Sequence, residues 1–146
     1  MDAALKAVQR LSQEEKMGAL VEREGRLQVI EYSEISQSCP PLTLSSTGMF
    51  CIAMEFIAHL SQNIRAEFPL HLARKSAQVL VATSEGYTQE KKGVWKCERF
   101  LFDLLGYARS SAALVCPREK IYAPLKNATG EHSFETVRKA LLHREV

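Results

Sequence analysis

The segment from Ala19 to Tyr32 constrains the fold more than any other. Two β-rich runs, Ala19-Leu20-Val21-Glu22-Arg23 and Leu27-Gln28-Val29-Ile30-Glu31-Tyr32, flank Glu24-Gly25-Arg26. Branched and aliphatic side chains suit a pleated, half-buried surface, and a short glycine-containing link between two such runs predicts a β-hairpin.

The rest of the chain alternates between the two periods. Residues 3–9 fit either a short strand or a helical turn, and periodicity does not decide between them. Ser12 to Lys16 reads as a polar connection. Residues 36–47, rich in Ser, Thr and Pro around Cys39-Pro40-Pro41, read as loop, with Ser46 or Thr47 placed to cap a following helix. Along 48–65, Phe50, Ala53, Ile57, Leu60 and Ile64 repeat at helical spacing. Met49, Ile52 and Phe56 add a second apolar face, which predicts a helix buried on two sides. Leu70 to Ala73 and Gln78 to Ala82 read as short strands about the basic link Arg74-Lys75, and 83–93 as polar and exposed. A second helix is expected over 96–109, with Phe100, Leu101, Leu104, Leu105 and Ala108 as its apolar stripe. Ala112 to Cys116 reads as a compact strand ended by Pro117. A third helix is expected over 134–144, capped by Ser133, with Phe134, Val137 and Leu141 facing inward. Strands alternating with helices give an α/β class, with a β-hairpin and about three helices. Two of those helices are apolar on most sides and the sheet has few strands to cover them, a hint that part of the fold lies outside the chain.

At 146 residues the chain suits one domain, 1–146, with its own core. Nineteen basic against seventeen acidic residues, mixed in sign along the chain, give no reason to expect a nucleic acid or an anionic membrane as partner. No run approaches the ~18 apolar residues of a membrane span. The first residues lack the basic and apolar regions of a signal peptide, so a cytoplasmic location is expected. Cys39, Cys51, Cys97 and Cys116 contain no CxxC pair and read as small buried thiols. His59, His71, His132 and His143 form no metal-ligand spacing and are read as structural or surface residues. GxGxxG, GxxxxGK[ST] and GxSxG are all absent.

Two segments are unusual for scaffold. In Ile30-Glu31-Tyr32-Ser33-Glu34-Ile35 an apolar strand ends in two carboxylates, a phenol and a hydroxyl. Strand ends in α/β sheets often face a ligand crevice. A strand simply leaving the core gives the same pattern, and more often. In Ile121-Tyr122-Ala123-Pro124-Leu125-Lys126-Asn127-Ala128, Pro124 constrains the backbone just before Lys126. A held ammonium is a good partner for phosphate, and an ordinary solvated lysine is the competing reading.

These segments occur in a fixed order. Gly18-Ala19-Leu20-Val21, then Gly25 through Ile35, then Lys96-x-Glu98-x-Phe100-x-Phe102-Asp103, then Ala123-Pro124-Leu125-Lys126-Asn127, resembles the UDP-N-acetylglucosamine pyrophosphorylase family within the UDP-sugar pyrophosphorylases. The likeness runs from about Asp2 to the last helix. It implies the C-terminal, sugar-binding part of a nucleotidyltransferase catalytic domain, Rossmann-like with a mixed sheet. The implied reaction joins UTP to a sugar 1-phosphate and releases pyrophosphate. By resemblance, Glu31 accepts hydrogen bonds from sugar hydroxyls, and Lys126 is catalytic, holding the phosphates and offsetting charge as the α-phosphorus is attacked. Phe100 and Phe102 line the sugar pocket, and Tyr32 and Asn127 complete the substrate contacts.

Two departures from the family pattern stand out. The family's F-N-A-G-N segment, whose last Asn contacts the sugar, is matched here by Phe50-Cys51-Ile52-Ala53-Met54. Met54 cannot hydrogen-bond an N-acetyl or hydroxyl group, which leaves both N-acetylglucosamine and glucose open as the sugar. The family's L-x-G-G-x-G-T-R-x-G loop, its uracil-binding residues and its Mg²⁺-binding aspartate have no counterpart in the chain. The resemblance therefore implies a chain inactive by itself, with UTP, sugar 1-phosphate and Mg²⁺ belonging to the full-length enzyme and no metal bound here. An open sheet edge would favour homo-oligomers. The alternative is a stand-alone, non-catalytic binding module derived from the same fold.

Overall fold

The computed structural model describes residues 1–36, 38–63 and 68–143. Its centre is a five-stranded mixed sheet of β1 (Ala3–Gln9), β2 (Ala19–Arg23), β3 (Arg26–Ile30), β4 (Leu44–Ile52) and β7 (Ser111–Val115), in the order β3-β2-β4-β1-β7. Strand β1 lies between an antiparallel β4 and a parallel β7. Its composition explains that place: Ala3, Leu5, Ala7 and Val8 are all buried, and the small alanines let other side chains close over the strand. Strands β2 and β3 form the expected hairpin. Arg23 pairs with Arg26 across a two-residue turn, and Glu24 and Gly25 both take left-handed backbone, φ 53° and 72°. Such a turn matches the twist of the strands it joins.

One face of the sheet is covered by α1 (Met54–Asn63) and by a 3-10 helix, Leu101–Tyr107. Phe56 and Leu60, one turn apart on α1, join Leu105 and β1 residues Ala3, Leu5 and Ala7 in the core. The remaining elements are a long hairpin of β5 (His71–Thr83) and β6 (Gly86–Glu98), a single helical turn α2 (Arg118–Ile121), and α3 (Phe134–Leu142).

Several sequence expectations are corrected. The helix over 48–65 divides: up to Ile52 the chain is strand, paired with β1, and only Met54–Asn63 is helical, while Ile64 lies outside the described residues. Ser46 and Thr47 are strand residues, not caps. Helix α1 is buried on one side only, for Ile57 is 38% and Met54 71% exposed. The apolar residues of 48–53 fit a strand because Phe50 faces Leu5 and Ile52 faces Ala3, pairings that no local period reveals. The two short strands about Arg74-Lys75 are one continuous strand, and the polar segment 83–93 turns back as β6. The helix over 96–109 is the end of β6 followed by the 3-10 helix. Helix α3 forms from Phe134, yet Phe134 and Leu141 face solvent at 67% and 51% exposure, and Ser133 makes no side-chain cap. Cys51 and Cys97 are exposed and Cys39 and Cys116 half-buried, so none of the four thiols packs as a core residue.

Candidate functional site

The hairpin of β2 and β3 delivers the first group. Strand β3 ends at Ile30, Glu31 follows in extended backbone, and Tyr32–Glu34 closes a 3-10 turn in which the Glu34 N–H donates to the Glu31 carbonyl at 2.8 Å. Glu31 is half-buried beside Gly18. A Cβ built on Gly18 would stand 2.7 Å from Val29 Cγ1 and 3.9 Å from Glu31 Oε2, so only glycine lets this backbone pass. Burial pushes the Glu31 carboxyl above its ordinary pKa, and repulsion from Glu34 adds to it. His71 and Lys126 act in the opposite direction.

The second group arrives from the far end of the chain. After α2 the backbone runs extended through Pro124 to Lys126. There the N–H groups of Lys126 and Asn127 both donate to the His132 carbonyl, at 2.8 and 3.1 Å. Asn127 Nδ2 donates to the Glu131 carbonyl at 2.7 Å, and the loop turns at Gly130 and His132, both with positive φ. His132 is not glycine, so this left-handed residue is held at a cost of order 1 kcal/mol or more. The lysine therefore leaves a tied loop and not a free tail.

Glu31 and Lys126 line one cavity of about 310 Å³, together with Tyr32, Phe50, Phe102 and Tyr122. Its floor includes Gly48, at φ 79°, within a β-bulge where Thr47 to Met49 oppose Lys6 alone. Thr47 Oγ1 pins the bulge by donating to the Lys6 carbonyl at 2.8 Å. Phe100 stacks on Phe102 with centroids 4.7 Å apart, and it lines an adjoining cavity of about 350 Å³ that shares Glu31 and Tyr32. Asn127 is not brought to Glu31; with Lys126 it lines a separate hollow of about 530 Å³ beyond the lysine.

Lys16, which the sequence reading passed over as connection, borders the Glu31 cavity as well. Among the described residues neither Lys16 nor Lys126 makes an ion pair. Its loop is fixed from below by a buried guanidinium. Arg10 donates to the carbonyls of Met17 (3.0 Å) and Glu15 (2.8 Å) and to Ser45 Oγ (2.9 Å). Ser45 donates to Glu15 Oε2 at 3.0 Å, and Glu15 Oε1 meets Arg118 at 2.6 Å. Arg118 in turn lies over the Tyr122 ring, 5.3 Å from its centroid. This network ties the β1–β2 loop to α2, so Lys16 and Tyr122 reach the cavity from one rigid support. An arginine ending a strand was the sequence signal, too common by itself to single out.

No family model matches the chain. It is 31% identical, over 96% of its own length and 28% of the relative's, to UDP-N-acetylglucosamine diphosphorylase 1 of Arabidopsis thaliana. It is 30% identical, over 97% of its length and 30% of the relative's, to the human UDP-N-acetylhexosamine pyrophosphorylase-like protein 1. The chain's relatives are UDP-N-acetylglucosamine pyrophosphorylases. The fold agrees: 97% of the chain superposes on 29% of the uridine diphosphate N-acetylglucosamine pyrophosphorylase of Trypanosoma brucei with a TM-score of 0.71 at 20% identity. The UDP-glucose pyrophosphorylase of Leishmania major matches 85% of the chain with a TM-score of 0.57 at 16% identity. The chain thus shares the fold of the matching part of these pyrophosphorylases. The chain spans less than a third of the length of the curated relatives it matches.

Proposed function

We propose that this chain forms the sugar-phosphate side of the active site of a UTP:sugar-1-phosphate uridylyltransferase, acting within a cytoplasmic protein of its relatives' length. A phosphate oxygen of the sugar 1-phosphate attacks the α-phosphorus of UTP, the bond to the β-phosphate oxygen breaks, and pyrophosphate leaves. Lys126 offsets the charge that gathers on the phosphoryl oxygens, work that depends on position and not on covalent chemistry. Glu31 and Tyr32 take the sugar hydroxyls, Phe102 and Phe100 supply the apolar wall, and Asn127 keeps the Lys126 loop closed. The single observation that carries the reading is the cavity that unites Glu31 with Lys126, two groups from opposite ends of the chain. Lys16 on the same wall gives a dianionic phosphate a second ammonium.

The relatives named for N-acetylglucosamine make that sugar one candidate, and Met54 keeps glucose as the other. Met54 stands 71% exposed at the start of α1, where it offers the sugar no hydrogen bond. Mg²⁺ is part of the proposal for the longer protein. Among the described residues no three His, Cys, Asp or Glu side chains gather to hold a metal ion.

Calorimetric titration of the chain with glucose 1-phosphate and N-acetylglucosamine 1-phosphate tests the reading. Lys126→Ala removes a charge-assisted contact of about 1.5–3 kcal/mol, so affinity should fall by about tenfold or more. Glu31→Gln should weaken binding less, since the amide still accepts. Binding that ignores both substitutions, or no binding of either sugar phosphate, overturns the assignment.

A further inference from the structure

We propose that His71 is a positioning residue: by bridging Glu34 and Asp103 it holds the turn that carries Glu31 against the sugar-phosphate cavity. The inference rests on the function proposed above for that cavity. It starts from three elements meeting at one ring. His71 opens β5; its Nδ1 lies 2.7 Å from Glu34 Oε1, at the end of the Tyr32–Glu34 turn, and its Nε2 lies 3.0 Å from Asp103 Oδ2, in the 3-10 helix. Phe100 packs on the ring, 4.7 Å between centroids. The turn is short and internally bonded through Glu34 N–H to the Glu31 carbonyl, so whatever fixes Glu34 fixes Glu31.

Proton counting makes this bridge conditional. A carboxylate only accepts, a neutral imidazole has one N–H, and an imidazolium has two. Both contacts are satisfied together only while the ring is charged. Burial works against that charge, but the hydrogen bonds the ring donates to Glu34 and Asp103, with their negative charge, outweigh it and raise the His71 pKa above its ordinary 6.5. The other charged groups lining the cavity beside the ring are Glu31, Glu98, Lys96, Arg74 and Lys75. Lys96 is held by Glu98 at 2.6 Å, and among the described residues the ion-pair partner of both Glu34 and Asp103 is His71. With a raised pKa, the bridge is complete below pH 6.5 and is lost as pH rises through the folded-state value. The contact released is the one to Glu34, whose side chain is 38% exposed against 12% for Asp103 and so rehydrates more readily.

The test is an NMR titration of the whole chain from about pH 5 to about pH 9, across the range where histidine changes charge. The His71 ring and the Glu31 and Glu34 amides are followed together, and the affinity for glucose 1-phosphate is measured at both ends. The amides should move with the midpoint of the ring, above 6.5. Affinity should fall about fivefold on deprotonation, the worth of one hydrogen bond. In Glu34→Gln the side-chain amide can donate to a neutral ring, so the amides should stay fixed across the range and the excess pH dependence should vanish. The ligand's own second ionisation, at about pH 6, is common to both proteins and cancels. Amides that ignore the ring, or a Glu34→Gln profile equal to the native one, overturn the positioning role while leaving Lys126-dependent binding intact. Amides that follow the ring in a chain that binds no sugar phosphate sink the proposed function, and with it any positioning role for His71.

Discussion

The five-stranded sheet and the β5–β6 hairpin are built from comparable strands and end in opposite states. In the sheet, β1 is paired on both edges and covered by α1 and the 3-10 helix, and Leu5, Ala7 and Leu105 are 3% exposed or less. The hairpin has thirteen backbone pairs along two strands of thirteen residues, a longer ladder than any in the sheet. Nothing among the described residues covers its outer face. Leu72, Leu80, Tyr87 and Trp95 are 57–78% exposed. Backbone pairing gives a strand its shape, and a covering layer gives it hydrophobic stabilisation, since apolar area counts only when removed from water. The hairpin is anchored at its base, where His71 meets Glu34 and Asp103.

The contrast is broken most forcefully at Leu105. It is 1% exposed and meets β1 across the covering layer, so Leu105→Ala should destabilise the chain by about 2–5 kcal/mol. Denaturant unfolding followed by circular dichroism measures it; a loss under about 1 kcal/mol would mean that the 3-10 helix does not close the core. Gly18→Ala comes next. The added methyl meets Val29 Cγ1 at 2.7 Å, and overpacking of this kind costs about 1–3 kcal/mol. Because the same methyl approaches Glu31, the variant should also weaken sugar-phosphate binding, which a purely structural loss elsewhere in the sheet would not do. On the hairpin, Leu80→Ser should change stability by no more than about 0.5 kcal/mol, the usual range for an exposed site. A cost of 2 kcal/mol or more, in the core range, would show that the exposed face is covered in solution.

The same contrast explains what the sequence disclosed. The β2–β3 hairpin was legible because its signal is local: Glu24-Gly25 supplies two left-handed positions between two β-rich runs. The approach of Glu31 to Lys126 was legible only through resemblance, since the chain carries no local trace of two groups so far apart sharing a cavity. Strands β4 and β6 were misread because their partners lie elsewhere. Strand β4 is a strand through β1, and its bulge at Gly48 shifts the alternation just where a helical period takes over. Strand β6 is polar from Thr88 to Lys92, so its centre carries no apolar alternation. His71 was missed for a related reason. A lone histidine is unremarkable until folding places Glu34 and Asp103 on its two nitrogens.

The smallest expected effect lies at the edge of the molecule. Ser133 stands at the start of α3, the position where a serine hydroxyl normally accepts a backbone N–H and is worth about 1 kcal/mol. Here the side chain makes no such bond, and its Oγ is buried with no partner among the described residues. A buried hydroxyl without a partner has given up water for nothing. Ser133→Ala should therefore leave stability within about 0.5 kcal/mol of the native value or raise it, the reverse of a working cap. Urea midpoints of the two proteins decide the matter. A drop of about 1 kcal/mol would show that the hydroxyl does cap α3 in solution, and that the helix owes its start to that bond. No drop leaves half-buried Val137 and the tied Lys126 loop to hold a helix whose Phe134 and Leu141 remain in water.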